Sequence, residues 1–167
     1  MKKIFYFQVS LTFFLCLFLF TGCNKNLIPS TNVAATLENK SVVNFLKVYK
    51  DALEKRSVES VMDLVAPDFD DNAGSTDPKQ RLNYLGLKEK LEKYFAQVRE
   101  INVGLFIQNI KKLKDGTYEV VFFYNNQSLV DMPKQEEWIA SKDVSKMVIR
   151  KRPHRKEPYN YEILKGL

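Results

Sequence analysis

The chain has 167 residues, and its formal net charge at neutral pH is +6. This length suits one folded domain of ordinary size, and so small a basic excess does not indicate a nucleic-acid-binding protein. The two cysteines, Cys16 and Cys23, are too few for a disulfide framework or for a zinc site built from cysteine ligands.

The start of the chain has the pattern of an export signal, which we place at residues 1–22. Lys2 and Lys3 give a positive beginning, and a mostly apolar run follows over residues 4–20. The run ends in FTGC, which resembles the cleavage box of bacterial lipoproteins and implies that Cys23 is acylated as the mature N-terminus. A transmembrane anchor is the alternative, but the run is short beside the roughly 20 residues that a spanning helix needs.

The stretch after the signal is polar, contains Pro29 and shows no hydrophobic periodicity. It predicts a flexible tether over residues 23–40, holding a domain at residues 41–167 on the order of 20 Å from the membrane. By resemblance to other lipoproteins, the absence of an aspartate at position 24, which is Asn24, favours the outer membrane, with the protein facing the periplasm.

Two helices are predicted at the start of the domain. The first has an apolar face, made of Val42, Phe45, Leu46, Tyr49, Ala52 and Leu53. Ser57 then caps a shorter helix that ends before Pro67, because proline lacks the amide that a helix needs. The wide apolar stripe of these two helices must be covered by the rest of the chain.

A third helix is predicted over residues 78–99, with Asp77 as its N-cap and Pro78 in its first turn. The preceding residues 68–77, DFDDNAGSTD, carry four carboxylates and invite a calcium-loop interpretation. Gly74 is one place late for that template, and Lys79 stands where its glutamate belongs, so a solvated turn is preferred. The apolar side of the third helix consists of Leu82, Leu85, Leu91, Tyr94, Phe95 and Val98.

From residue 101 the hydrophobic period changes to two, which indicates strands. Residues 101–108 and 118–124 alternate on either side of the Asp115-Gly116 turn, a strong hairpin signal. A polar loop is predicted at 125–134, strands at 135–140 and 146–151, a turn at 153–158 and a last strand at 159–164. Three helices followed by antiparallel strands predict an α+β fold with the helices on one face of the sheet.

The helical part of the chain resembles the opening of the NTF2-like superfamily, whose members are also called SnoaL-like or cystatin-like. The matching residues are Tyr49 and Ala52 in the first helix and residues 67–69, PDF, after the second. The resemblance implies an NTF2-like cone over residues 41–167, with three N-terminal helices packed on a strongly curved antiparallel sheet. Because one fold hosts many activities, the function has to be argued from the site.

The resemblance also implies a pocket between the concave face of the sheet and the helices. The candidate lining residues are Tyr49, Phe69, Tyr84, Phe95, Phe122, Tyr124, Trp138 and Tyr161. Such a pocket suits a small apolar ligand, whereas the alternative for each aromatic residue is ordinary core packing. Trp138 is the strongest candidate for a pocket edge, because a buried indole N–H needs a partner.

Enzymes of the superfamily place an Asp, a His or a Tyr inside the cone. The single histidine, His154, lies in the basic turn RKRPHRKEP and is not expected in the interior. The remaining candidate acids are Glu119, Glu136, Glu137 and Glu162 on strands and Asp51 and Asp63 on helices. No nucleophile motif, phosphate loop or metal-ligand cluster is recognised, so we expect a non-catalytic domain without metal or cofactor.

The basic turn is the sharpest charge feature of the chain. Its cations are Arg150, Lys151, Arg152, Arg155 and Lys156. A solvated turn that blocks edge-to-edge pairing of sheets is the preferred interpretation, and the functional alternative is contact with an anionic surface such as lipid headgroups.

The sequence therefore predicts a membrane-anchored lipoprotein of the bacterial cell envelope whose domain binds a small apolar ligand or a partner protein. A structural accessory of the envelope is one alternative, and a cone-pocket isomerase or dehydratase is another. A homodimer formed through the sheet is expected by resemblance, and nucleic acid is not an expected partner.

Overall fold

The computed structural model describes residues 26–72, 81–132 and 135–167. Helix α1, Leu37–Glu54, begins where the Thr36 hydroxyl accepts a hydrogen bond from the Asn39 amide. Helix α2, Val58–Asp63, is capped by Ser57 as predicted. The predicted apolar face of α1 is buried along its whole length, so the first two helices are confirmed.

Helix α3 is shorter than predicted and runs over Tyr84–Gln97. Its N-cap is Asn83, whose Oδ1 accepts from the Gly86 amide at 2.9 Å. Two short strands precede it, β1 at Asp70–Asp71 and β2 at Leu82–Asn83, which pair with each other. The predicted start at residue 78 is therefore wrong, and the cap proposed at residues 77–78 lies outside the described residues. Leu85, predicted to be buried, is 68% exposed in the first turn.

The sheet is antiparallel and has the strand order β3-β4-β5-β6. The strands are β3 at Val98–Lys112, β4 at Tyr118–Asp131, β5 at Glu136–Lys151 and β6 at Tyr161–Lys165. The predicted loop at 125–134 is wrong up to Asp131, and the two strands predicted at 135–140 and 146–151 are one strand. Polar residues form strand here because each residue of β4 pairs with one of β5. Asn126 pairs with Ser141, and Gln127 pairs with Ala140.

The core lies between α1 and the concave face of the curved sheet. Phe45 of α1 packs on Tyr161 of β6 at 5.8 Å between ring centroids, and Tyr118 of β4 meets the same ring edge-on at 5.7 Å. Register shifts in β3 bend the strand near both of its ends, because a bulge increases local twist. The predicted α+β arrangement of helices on a curved antiparallel sheet is thus confirmed.

The segment before α1 belongs to the domain rather than to a tether. Ile28 and Val33 are only 8% and 5% exposed. The Asn32 amide donates to the Ile107 carbonyl at 2.9 Å, which attaches this segment to the edge of β3. The flexible tether predicted at residues 23–40 is therefore wrong for its described part, residues 26–40. Its few apolar side chains are buried although they are too sparse to show a hydrophobic period. None of the helices in the described residues has the length and apolarity needed to cross a bilayer.

Candidate ligand-binding site

Most of the predicted pocket aromatics are core residues. Tyr49, Phe69, Phe95, Phe122 and Tyr161 are all less than 8% exposed and belong to one hydrophobic cluster. For these five residues the structure favours the core-packing alternative.

Trp138 lies elsewhere and is 48% exposed. It pairs with Leu129 in the long β4–β5 hairpin, where every described residue from 135 to 144 is exposed. The prediction that Trp138 lies at the edge of the pocket is wrong. This part of the β4–β5 hairpin extends past the helices, which therefore do not bury it.

The other two predicted residues, Tyr84 and Tyr124, border surface hollows. Tyr84 lines a hollow of about 540 Å³ between α2 and α3, next to Met62 and Pro67. Tyr124 lines a hollow of about 510 Å³ on the β4–β5 pair, next to Lys142 and Asp143.

A hydrogen-bonded group of side chains lies close to Tyr124 on the concave face. The Tyr94 hydroxyl of α3 is 2.6 Å from the Ser128 hydroxyl of β4, and the Asn126 amide donates to Tyr94 at 2.9 Å. Alternation along β4 brings Tyr124, Asn126 and Ser128 to one side, because side chains two residues apart share a face of the sheet. We call Tyr94, Tyr124, Asn126 and Ser128 the hydroxyl cluster.

The phenols of Tyr124 and Tyr49 stay protonated at neutral pH. Burial, with a smaller contribution from the nearby Tyr94, raises the pKa of Tyr124 to about 12. Burial also raises the pKa of Tyr49, with a smaller contribution from Tyr124. The hydroxyls can therefore donate and accept hydrogen bonds as neutral groups, which suits an uncharged ligand oxygen and does not supply a base.

The hollow beside Tyr124 also contains an unmatched acceptor. Asn125 Oδ1 is buried and has no hydrogen-bond partner among the described residues. Burying a polar atom without a partner costs about 1–3 kcal/mol, but Asn125 alternates with Tyr124 along β4 and so lies on the opposite face of the sheet from the hydroxyl cluster. Lys142 and Asp143 add one charge of each sign to the same hollow.

Among the predicted acids, the buried Glu162 comes closest to what a general acid requires, but two arginines pair with its carboxylate. Its side chain is 11% exposed and lies between Arg150 and Arg152, at 2.5 and 2.8 Å. Burial acts to raise the pKa of Glu162, but the hydrogen bonds from Arg152 and Arg150 outweigh it and hold the pKa below its ordinary value. Glu162 is therefore a paired anion rather than a general acid.

The remaining predicted acids are at the surface or paired. Asp63 binds Arg155 at 3.1 Å, Glu119 binds Lys146 at 3.2 Å, and Glu136 binds Arg99. Asp51 and Glu137 are exposed. Within the described residues, none of these carboxylates forms a hydrogen bond with a member of the hydroxyl cluster.

The arginines of the basic turn are used inside the fold. Arg150 pairs with Asp68 at 2.9 Å as well as with Glu162, and Arg152 also donates to the Asp63 carbonyl at 2.7 Å. Carboxylates of the same chain already pair with Arg150, Arg152 and Arg155, so the structure favours the solvated-turn alternative over contact of these arginines with an anionic surface. Lys151 and Lys156 remain exposed.

Sequence reasoning missed three members of the hydroxyl cluster. Asn126 and Ser128 fell in a stretch interpreted as loop, and Tyr94 was assigned only to a buried helix face. No periodic signal marks Asn126 and Ser128, because residues 125–128, NNQS, are all polar and show no alternation.

Comparison with known proteins identifies the fold. No protein-family model and no curated protein matches the chain. A Streptomyces avermitilis protein named as a candidate dehydratase of the NTF2-like family is similar in structure, with a TM-score of 0.59 and 15% identity over 77% of this chain and 94% of that one. An NTF2-like superfamily protein from Salmonella enterica has a TM-score of 0.60 and 10% identity over 76% and 86% of the two chains.

A third similar structure, from Novosphingobium aromaticivorans, is named as a candidate aromatic ring hydroxylase. Its TM-score is 0.59 and its identity 14%, over 79% of this chain and 88% of that one. At such identities the similarity concerns the fold alone, and the chain has the NTF2-like fold.

Proposed function

We propose that this chain is an exported, lipid-anchored protein of the bacterial cell envelope whose NTF2-like domain binds a small uncharged ligand without transforming it. The observation that carries the proposal is the chain of hydrogen bonds from Asn126 through Tyr94 to Ser128, beside the half-buried Tyr124. Such neutral donors and acceptors orient a ligand that carries a hydroxyl or carbonyl oxygen.

The surroundings of the hydroxyl cluster favour a ligand with an apolar body. Leu91 of α3, Leu105 of β3 and Val130 of β4 pack against the core but are only partly buried. They provide apolar surface on α3 and β4, which carry the cluster, and on β3, which pairs with β4. A largely apolar contact with a few polar groups is the usual composition of a small-molecule site.

Binding is favoured over catalysis because the ionisable groups are committed to other partners. The phenols of Tyr49 and Tyr124 have raised pKa values and remain protonated. Glu54 and Glu162 have lowered pKa values and are held by Lys50 and by two arginines, respectively. General acid–base catalysis needs a group whose pKa lies near the working pH.

The ligand proposal is tested by native mass spectrometry of the full chain, extracted from bacterial membranes in mild detergent. We expect a bound small molecule that is lost, or retained at least tenfold less, in the Tyr124→Phe and Ser128→Ala variants. Tyr159→Phe, an exposed tyrosine of the basic turn, is the matched control and retains the ligand. Equal retention by all the variants would refute the site.

The lipid anchor is supported by the sequence of residues 20–23 and by the polar residues that follow. Mass spectrometry of the membrane-extracted protein is expected to find a chain that begins at Cys23 and carries acyl groups. Cys23→Ser should keep the signal segment and lose the acyl mass. Fractionation of the two membranes then tests the proposed outer-membrane position, facing the periplasm.

A homodimer through the sheet is a second proposal, supported by an exposed apolar row on the sheet. Phe106, Phe123 and Val144 are neighbours across β3, β4 and β5 and are 37%, 47% and 52% exposed. The two phenyl rings lie 6.4 Å apart. Sedimentation of the detergent-extracted protein should show a dimer that Phe123→Asp dissociates and Leu85→Asp does not.

A further inference from the structure

The described chain begins at one end of the molecule, beside the start of α1. The Ala35 amide donates to the Asn26 carbonyl at 2.7 Å, and Leu27 forms a bridge with Ala34. Cys23 precedes Asn26 by three residues, which span at most about 11 Å. An acyl group on Cys23 would therefore hold this end of the domain close to the lipid.

The same end exposes two large apolar side chains. Leu37, the first residue of α1, is 87% exposed, and Leu27 is 41% exposed. Leu37 is more exposed than any other large hydrophobic residue in the described parts of the chain. Leu37 lies two residues after Ala35, whose amide contacts the beginning of the described chain.

Lysines lie on the first turns of α1 and on the β3–β4 hairpin, whose Lys112 contacts the start of α1. Lys40 lies one helical turn after Leu37 and is exposed. Lys112, at the end of β3, reaches the start of α1 through an ion pair with Glu38 at 3.0 Å. Lys114 follows in the hairpin turn between β3 and β4 and is exposed.

The carboxylates at this end have internal partners. Glu38 accepts from Tyr118 as well as from Lys112, and Asp115 accepts from the Thr117 amide and hydroxyl at 3.0 and 2.7 Å. The lysines Lys40, Lys112 and Lys114, with Lys111 of β3, outnumber these two acids. We define the anchor face as Leu27, Leu37, Lys40 and Lys114, and leave out Lys112 because Glu38 pairs with it.

We propose that the anchor face lies against an anionic lipid surface, with Leu37 and Leu27 among the lipid headgroups and the lysines on lipid phosphates. This inference rests on the proposed acylation of Cys23, and it adds the orientation of the domain on the membrane. Apolar side chains flanked by lysines are the combination that interfacial lipid contact uses. The arginines of the basic turn do not compete, because Asp63, Asp68 and Glu162 neutralise them.

The test uses the acylated protein reconstituted in vesicles, with one cysteine introduced for a polarity-sensitive fluorophore. The natural sequence has only Cys16 and Cys23, and the mature acylated chain would keep no other thiol. Leu37→Cys places the label on the anchor face. Gln97→Cys is the control, at the exposed end of α3 where β3 begins, the opposite end of β3 from Lys112.

In vesicles containing phosphatidylglycerol, the Leu37→Cys label should shift to the blue and be quenched by spin-labelled lipid at least fivefold more than the Gln97→Cys label. Lys40→Glu with Lys114→Glu should remove most of that quenching, since each lysine near a charged membrane strengthens contact about fivefold. Lys90→Glu with Lys93→Glu, the same charge change on exposed α3 positions, should not.

These experiments distinguish failure of the proposed anchor from failure of the proposed face. If mass spectrometry finds no acyl group on Cys23, the anchor is refuted and the orientation with it. If Cys23 is acylated but aqueous iodide quenches the labels at positions 37 and 97 equally, the anchor stands and the proposed face is refuted. If the lysine pair and its control have the same effect, the electrostatic part is refuted.

Discussion

The carboxylate of Glu54 accepts a hydrogen bond from the amide of Val103 at 2.9 Å. Glu54 ends α1, and Val103 lies in β3, the edge strand of the sheet. The bond therefore joins helix to sheet and occupies a donor that an edge strand would otherwise present to another chain. Open strand edges are templates for aggregation.

Glu54→Ala should reduce the free energy of unfolding by about 1–3 kcal/mol, because the Val103 amide loses its acceptor. Glu54→Gln keeps an acceptor oxygen and should cost less than half as much. Urea unfolding of both variants measures the difference. The role assigned to Glu54 fails if alanine and glutamine cost the same.

Gly166 has a φ of +93°, and a Cβ built there would lie 2.0 Å from the Lys146 carbonyl oxygen. Gly166→Ala is therefore expected to cost at least about 2 kcal/mol, from the clash and from the left-handed conformation. Gly116 has a similar φ of +84° with open space around it, so Gly116→Ala should cost only about 1 kcal/mol. Thermal unfolding of the two variants separates the clash from the conformational cost.

The pairing of Glu162 with Arg150 and Arg152 predicts acid sensitivity. Its pKa is lowered in the folded protein from an ordinary value of 4.5. The stability it contributes is therefore present above pH 4.5 and is lost as the pH falls through the folded pKa. Glu162→Gln should flatten that part of the stability profile and cost about 3 kcal/mol at neutral pH, because two arginines lose a buried partner.

The control for Glu162 is Glu59→Gln, an exposed residue in the first turn of α2. It should keep the acid dependence of the natural protein in chemical unfolding between pH 3 and pH 7. An unchanged acid profile in Glu162→Gln would show that other carboxylates control the acid response.

The contact between Tyr94 and Ser128 should appear as a coupling energy. Tyr94→Phe and Ser128→Ala each remove one side of the 2.6 Å hydrogen bond. In a double-mutant cycle they should couple by about 1 kcal/mol. Tyr84→Phe with Ser128→Ala is the control, and it should show no coupling because Tyr84 lies at the separate hollow beside α2.

The helices and the sheet could be predicted because their apolar residues follow a period. Val42 to Leu53 keeps the helical period, and the alternation around Asp115-Gly116 keeps the strand period. The far half of the β4–β5 hairpin could not be predicted in this way. Asn125, Asn126 and Gln127 favour turns when considered singly, and only their cross-strand partners hold them in a ladder.

The site was predicted less well than the fold. Apolar and aromatic residues look alike in sequence whether they fill a core or line a pocket, as Phe122 and Tyr124 illustrate on one strand. The ion pairs of the basic turn could not be predicted for a related reason. The partners of its arginines, Asp63 and Asp68, are more than 80 residues away in the chain and become neighbours only on folding.

Residues 26–36 pack on the domain, so two residues, Asn24 and Lys25, separate the proposed lipidated cysteine from the described chain. A protease needs several accessible residues in an extended stretch before it can cut. With the proposed anchor, the two residues between Cys23 and Asn26 are too few to be cut, so this domain would not be released into the periplasm. The domain would then bind only ligands or partners that reach the membrane surface to which it is anchored.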